Sequence, residues 1–292
     1  MTRLADIELH VDNMETLDGI VGALRSLAGL HAREADHALA GVRRYGDLVA
    51  SAIAGALPLI DDGAADAGGR SDGRKRALIA FAAEHGFVGG FNERLFEALA
   101  AAREPDDILF LVGSRGAALA AERKIPVAWT QPLATRVGGV AETARRLADA
   151  LYRSIAEGKV DRVTLLYHRY RQGRDSRVAA RDVLPLDASA LKAPPAAQPP
   201  LHTLAPGALL EKLTAEYVFA LLTEAVAESL ASENAARFAA MNSAQDNIAR
   251  KIDRLREDAR RTRQEEITDE LLDLLIGGLA SAGGVAGSGP GR

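Results

Sequence analysis

The chain has no cysteine, which excludes disulfides, thiolate metal sites and cysteine nucleophiles and is compatible with a cytoplasmic location. Aromatic residues make up only 4% of its 292 residues, beside abundant alanine and arginine. That balance favours helix-rich, closely packed elements over a β-sandwich. No basic-then-apolar pattern opens the chain, because Asp6, Glu8 and Asp12 fall where the apolar run of a signal peptide is needed. The longest uncharged run, Leu274 to Gly291, holds seven glycines and reads as a frayed tail, not as a membrane span. A net charge of -4 is too mild to suggest nucleic acid or an anionic membrane surface as a partner. The expectation is a soluble protein without direct membrane insertion, or one held at a membrane by other proteins.

Glycine and proline are also missing from the 69 residues between Ala208 and Ile276. Leucine, alanine, glutamate and arginine dominate that run, and all are strong helix formers. Leu210, Leu213, Tyr217 and Leu221 recur at helical spacing; Met241, Ile248 and Leu255 follow seven apart, with Ile252 and Ala259 between them. A helix of this length spans roughly 100 Å at about 1.5 Å per residue, too long for the inside of one globular core. Its seven-residue apolar seam calls for a partner helix in a coiled coil.

The opposite end of the chain offers that partner. Thr2 to Leu57 contains no proline, and Ile7, Val11, Met14, Leu17, Val21, Leu24 and Ala28 step by three or four along one face. Glycines at 19, 22, 29, 41, 46 and 55 weaken the helix but permit close approach of another. Pro58 ends the pattern, and Asp61 to Gly73 reads as a flexible linker. Pairing the two terminal helices gives an antiparallel coiled coil.

Between them, short apolar runs alternate with helical patterns. Ala77–Ala83, Ile108–Val112, Pro126–Thr130 and Arg162–Tyr167 read as strands, with Val178–Leu184 as a further one; Glu93–Arg103, Ala117–Lys124 and Ala141–Glu157 read as helices. Alternation of this kind means crossover units and a mostly parallel sheet. Asp187 to Pro206, with five prolines, reads as an extended connector. The expected fold is α/β: a long two-helix coiled coil carrying an inserted small, mostly parallel, Rossmann-like domain. Its segments are a coiled-coil helix at 1–58, the α/β domain at 74–187, a second coiled-coil helix at 207–279 and a flexible glycine-rich tail at 280–292.

No catalytic or metal constellation emerges, and no cofactor is expected. Gly86 to Asn92 and Gly113 to Gly116 each follow a strand, where a phosphate loop would sit, but neither has the Gly-x-x-x-x-Gly-Lys-Ser/Thr order or a proper Gly-x-Gly-x-x-Gly. Both read as tight turns. The histidines at 10, 31, 37, 85, 168 and 202 are scattered and read as ordinary surface residues. One charge feature stands out. Arg250 to Arg263 carries seven basic residues against three acidic ones, either a solvated face with pairs such as Glu257–Arg261 or a contact surface for an acidic protein partner.

The terminal helix resembles the γ subunit of rotary F-type ATP synthases. Ser232-Glu233-Asn234-Ala235-Ala236-Arg237-Phe238-Ala239-Ala240-Met241, then Asp246-Asn247, then Arg263-Gln264-Glu265-Glu266-Ile267-Thr268-Asp269-Glu270-Leu271 is similar to that family's C-terminal series, with the same spacing. Gly86 to Asn92 resembles its Gly-Leu-Cys-Gly-Gly-Phe-Asn, with Phe87 and Val88 in place of Leu and Cys; Val160-Asp161-Arg162-Val163 and Leu184-Pro185-Leu186 also fit. The resemblance implies a non-catalytic rotor. Its coiled coil would turn inside a ring of α and β subunits whose β subunits hold the catalytic sites. Its foot would rest on the membrane c-ring beside the ε subunit, at the cytoplasmic face of a bacterial inner membrane. Carried over by position, Arg237, Arg263, Gln264 and Thr268 would contact β-subunit loops, and the basic run would meet an acidic loop there. Departures from the pattern are an acidic first helix (eight acidic and five basic residues in 1–57), Leu24 and Phe238 where methionine is usual, and a longer glycine-rich tail. They suggest a divergent branch, an alternative bacterial F-type ATPase. Two other readings stand beside the rotor: a free-standing coiled-coil adaptor of the same fold, and a small α/β enzyme with helical arms, disfavoured by its missing phosphate and catalytic residues.

Overall fold

A computed structural model describes residues 3–59, 75–171, 176–186 and 201–283. The linker expected at 61–73, residues 187–200 of the expected connector and the tail beyond 283 lie outside the described residues. Two helices frame the order of elements: α1 (Arg3–Ala56) and α5 (Pro206–Gly283). Pro58 stops α1 in a short 3₁₀ turn, Leu57–Leu59. Pro206 starts α5 at the position where a missing N–H costs nothing. Between the two helices come β1 (Lys75–Phe81), α2 (Phe91–Ala102), β2 (Ile108–Val112), α3 (Ser114–Glu122), β3 (Trp129–Gln131), α4 (Val140–Ala156), β4 (Val160–Arg169) and β5 (Arg177–Leu184). The chain forms two compact units, one of residues 1–24 with 241–292 and one of residues 25–240.

In the larger unit the sheet order is β3-β2-β1-β4-β5. β1 pairs in parallel with β2 and β4, and β2 with β3, while β5 closes the far edge antiparallel to β4. Crossover connections cover both faces, so the central strands are buried on both sides, and Ala77 to Phe81 are fully inaccessible. The period-2 alternation of a strand then divides their side chains between two cores. Ala77, Ile79 and Phe81 join Val112 and Leu165 beneath α4 and α5, where Leu147, Leu151, Leu222, Val226 and Leu230 meet them. Leu78 and Ala80 point the other way with Leu109 and Leu111, against Leu95, Phe96 and Leu99 of α2 and Ala120 of α3. Ala35 and Leu39 of α1 join the first core. The run expected as a strand at Pro126–Thr130 pairs only over Trp129–Gln131.

In the smaller unit, α1 and α5 run antiparallel, since Asp18, Glu15 and Glu8 meet Gln245, Arg256 and Arg263 in that order. Val21, Met241, Ile248 and Ile252 form its buried seam, with Met14, Leu24 and Ala244 packed beside them. This is the seven-residue repeat of a coiled coil, and each such side chain contributes about 1.5–3 kcal/mol when fully buried.

Candidate functional site

In the larger unit the carboxyl edge of the sheet, where α/β domains receive ligands, is filled from within the chain. Beyond β1, three successive backbone N–H groups point at side-chain oxygens. Ala83 donates to Asn92 Oδ1 at 2.9 Å, Glu84 to Glu233 Oε2 at 3.0 Å and His85 to Glu233 Oε1 at 3.2 Å. Such a run of N–H groups makes an anion-binding concavity, and a carboxylate from α5 occupies it. Glu84 answers with its own carboxylate, which accepts the Ser114 N–H at 2.9 Å, the Ser114 hydroxyl at 2.7 Å and the Leu133 N–H at 2.7 Å. The first turn of α3 is thereby capped by a side chain from the bend beyond β1. Gly113 and Gly116 are required by the same crowding. Gly113 sits at φ 113°, and a Cβ at Gly116 would lie 2.0 Å from that of Ala82. Gly86 to Gly90 is a bend and turn as expected, whereas Ser114 to Gly116 of the second cluster form the first turn of α3, with Gly113 as its N-cap.

The α5 segment over this edge is polar and yet buried. Glu228, Ser229, Ser232, Glu233 and Asn234 are all at most 3% exposed, and each has a partner. Glu228 receives the Arg43 guanidinium and the Tyr170 N–H. Ser232 donates to the His168 carbonyl at 2.9 Å. His168 corrects the expectation of surface histidines. It is fully buried, its ring stacks on Phe91 at 3.8 Å, and Nε2 lies 2.9 Å from the Phe91 carbonyl. A carbonyl only accepts, so Nε2 carries the proton, leaving Nδ1 as acceptor for the Ser176 hydroxyl at 3.3 Å. Burial above all, with a smaller push from Arg94 and against the bond to Phe91, lowers its pKa to about 4, so the ring is neutral at pH 7.

Of the expected contact residues, Arg237 belongs to this unit. Its Nε donates to the Gly86 carbonyl at 3.3 Å, one Nη to Asn234 Oδ1 at 3.0 Å and the other to Glu233. The side chain is 13% exposed and lines a cavity of about 250 Å³ with His31, His85, Arg136 and Asn234.

Arg263, Gln264 and Thr268 belong to the smaller unit and are exposed on α5. Arg263 pairs with Glu8 at 2.7 Å, and the Thr268 hydroxyl donates to the carbonyl of Gln264 at 2.8 Å. The basic run around them is partly neutralised: Arg256 pairs with Glu15 at 2.6 Å, and Arg261 pairs with Glu265 at 3.2 Å, not with Glu257. Just beyond, Ile267, Leu271, Leu272, Leu274 and Leu275 are 50–73% exposed. Among the described residues no group of acidic or histidine side chains could hold a metal ion, and no helix is long and apolar enough to cross a membrane.

The profile of a family described as ATP synthase matches residues 3–281. The chain is 27% identical to the ATP synthase gamma chain of Paracoccus denitrificans, covering 95% of this chain and 99% of that one. It is 28% identical to the ATP synthase gamma chain of Solibacter usitatus, covering 96% and 100%. Its fold is that of a chain in the cryo-EM structure of the Euglena gracilis mitochondrial ATP synthase (OSCP/F1/c-ring, rotational state 3), with a TM-score of 0.63 at 15% identity over 99% of this chain and 98% of that one. A chain of the central stalk and c-ring of the Tetrahymena thermophila mitochondrial ATP synthase shares it too, with a TM-score of 0.57 at 18% identity over 77% and 99%.

Proposed function

The chain belongs to the ATP synthase family, and from that premise we propose that it is the central-shaft γ subunit of a rotary F-type ATP synthase. It turns inside a ring of α and β subunits and couples transmembrane ion flow to ATP synthesis or hydrolysis. It is not itself catalytic; the catalytic sites lie on the β subunits. The ε subunit and the membrane c-ring are its further partners. It is a peripheral protein at the cytoplasmic face of a bacterial inner membrane, reaching the membrane only through the ring.

The observation that carries this reading is the surface of α5 in the smaller unit. Seven cations lie between Arg250 and Arg263, and after seven residues that include Glu265, Glu266, Asp269 and Glu270 come four widely exposed leucines, Leu271, Leu272, Leu274 and Leu275. A helix apolar on several sides and open to water is an interaction surface. The cations fit an acidic loop, and the leucines fit an apolar sleeve. Arg263, Gln264 and Thr268 contact β-subunit loops from this surface. Arg237 does so separately, through the cavity beside it; three of the guanidinium's five donors are committed within the chain and the rest remain for a partner.

The test is a pull-down of the tagged full-length protein from its native membranes, with the bound proteins identified. Recovery of α, β, ε and c-ring subunits is the expected outcome. Recovery of the protein alone, or with unrelated partners, overturns the shaft and installs the free-standing adaptor.

A further inference from the structure

In open α/β sheets the ligand seat lies where strand order reverses. Here that point falls beside β1, which leads to β2 on one side and has β4 on the other. The turn at 84–86 presents two N–H donors, from Glu84 and His85, and one carbonyl acceptor, from Gly86. One turn of α5 presents the complement: the two carboxylate oxygens of Glu233 and the Nε–H of Arg237, themselves joined as an ion pair. Both side chains are largely buried, Glu233 to 2% exposure and Arg237 to 13%.

We infer that Glu233 is the positioning residue that fixes α5 on the α/β domain, so that the helix is held there as the domain's own ligand. This rests on the shaft reading for its consequence, the passage of turning force between α5 and the α/β domain. The physical argument is one of direction. Leu222, Val226 and Leu230 hold α5 against the sheet by area, and apolar contact resists separation while tolerating small slides. Hydrogen bonds to a buried charge have fixed lengths and angles. The Glu233 carboxylate, gripping two amides of a turn that Arg237 grips by its carbonyl, sets the register of the helix. Ser232 adds one more fixed point at the His168 carbonyl.

Two readouts test it. In the isolated full-length chain, Glu233→Ala accelerates hydrogen exchange at the amides of Glu84 and His85 by about tenfold. Sodium formate, small enough to occupy the vacated seat, restores protection, whereas sodium chloride at equal concentration does not. Unchanged exchange, or an equal effect of the two salts, overturns the inference. In the assembled complex, Glu233→Ala loses more ion pumping than ATP hydrolysis, so fewer ions move per ATP; a purely structural loss would reduce complex yield and lower both rates together. Glu233→Gln, which keeps one acceptor oxygen, falls between wild type and Glu233→Ala and replaces it if that variant does not assemble. A pumping-to-hydrolysis ratio equal to wild type in both variants overturns the role. If the wild-type chain joins no such complex, the shaft reading fails on its own, and the exchange readout alone decides the clamp.

Discussion

Two stretches of α5 contrast. Glu228 to Arg237 is polar and buried, and its side chains bond to fixed groups of the same unit. Arg250 to Leu275 is at least as polar, yet most of it faces solvent, and its cations meet exposed partners: Arg250 reaches Asn247, Arg261 reaches Glu265, and Arg256 and Arg263 reach Glu15 and Glu8. Composition does not separate the two. Neighbourhood does: the first stretch crosses the carboxyl edge of the sheet, where the backbone N–H groups of Glu84, His85 and Tyr170, beyond the strands, donate to its carboxylates and fix them. The second meets a single acidic helix across a narrow apolar seam. A buried polar group costs free energy unless it is satisfied, so the first stretch specifies one arrangement. Exposed charge costs little either way and remains available to a partner.

The contrast is open to direct attack. Its largest expected signature is a pH dependence at His168 of β4, which the buried stretch packs against. His168, whose carbonyl Ser232 holds, has a folded pKa of about 4, below the ordinary value of 6.5. A neutral buried ring contributes its full share above pH 6.5; as pH falls from 6.5 to about 4 the unfolded chain takes up a proton that the folded chain refuses, and stability drops. The expected loss is about 3 kcal/mol over that window. Urea unfolding of wild type and His168→Gln at pH 7 and at pH 4.5 measures it; the acid-induced loss shrinks in the variant. Equal losses in both would mean that the ring is not desolvated. Next in size is Glu228→Ala, which leaves the Tyr170 N–H without its acceptor and frees Arg43 from one of its two carboxylates. Because Arg43 is partly in water, the expected cost is about 2 kcal/mol by the same unfolding measurement. A cost near zero would place Glu228 among the solvated charges and erase the difference between the stretches.

How much of this was legible follows the same line. β2 is the apolar run Ile108–Val112, residue for residue, because a strand buried on both faces leaves an uninterrupted apolar word. The coiled-coil seam was legible in Met241, Ile248 and Ile252, which are buried, whereas Leu255, expected in the same seven-residue series, is only half-buried. Glu228, Ser232 and Glu233 were missed as anchors, since a carboxylate on a helix reads the same whether it faces water or a backbone amide. A signal existed: Leu221, Ala225, Glu228 and Ser232 step by four, three and four, putting the two polar residues on the row of buried apolar ones. His168 carried a similar signal, sitting at the end of the buried run Val163–Tyr167 in a central strand. The bonds from Glu84 to Ser114 and Leu133 join residues 30 and 49 apart, and no local pattern announces them. Arg263, Gln264 and Thr268 are ordinary exposed residues by composition; only the resemblance singled them out.

The smallest prediction concerns the exposed stretch and decides whether it is different in kind. Glu15 and Arg256 meet at 2.6 Å, with side chains 46% and 53% exposed. An ion pair so open to water gains modest attraction and spends side-chain entropy to hold two long groups in place, so Glu15→Gln should cost under about 1 kcal/mol at low salt. Most of that difference should vanish at about 1 M salt, where the screening length is close to the pair's own separation. Thermal unfolding of both proteins at low and high salt reads it. A larger cost that persists in high salt would mean that the coil, like the carboxyl edge, fixes its register through desolvated charge. The cations of α5 would then be committed within the chain and unavailable to a ring. A small, screened cost leaves them free to exchange Glu15 and Glu8 for the acidic loops of a partner, which a rotating shaft requires at every step.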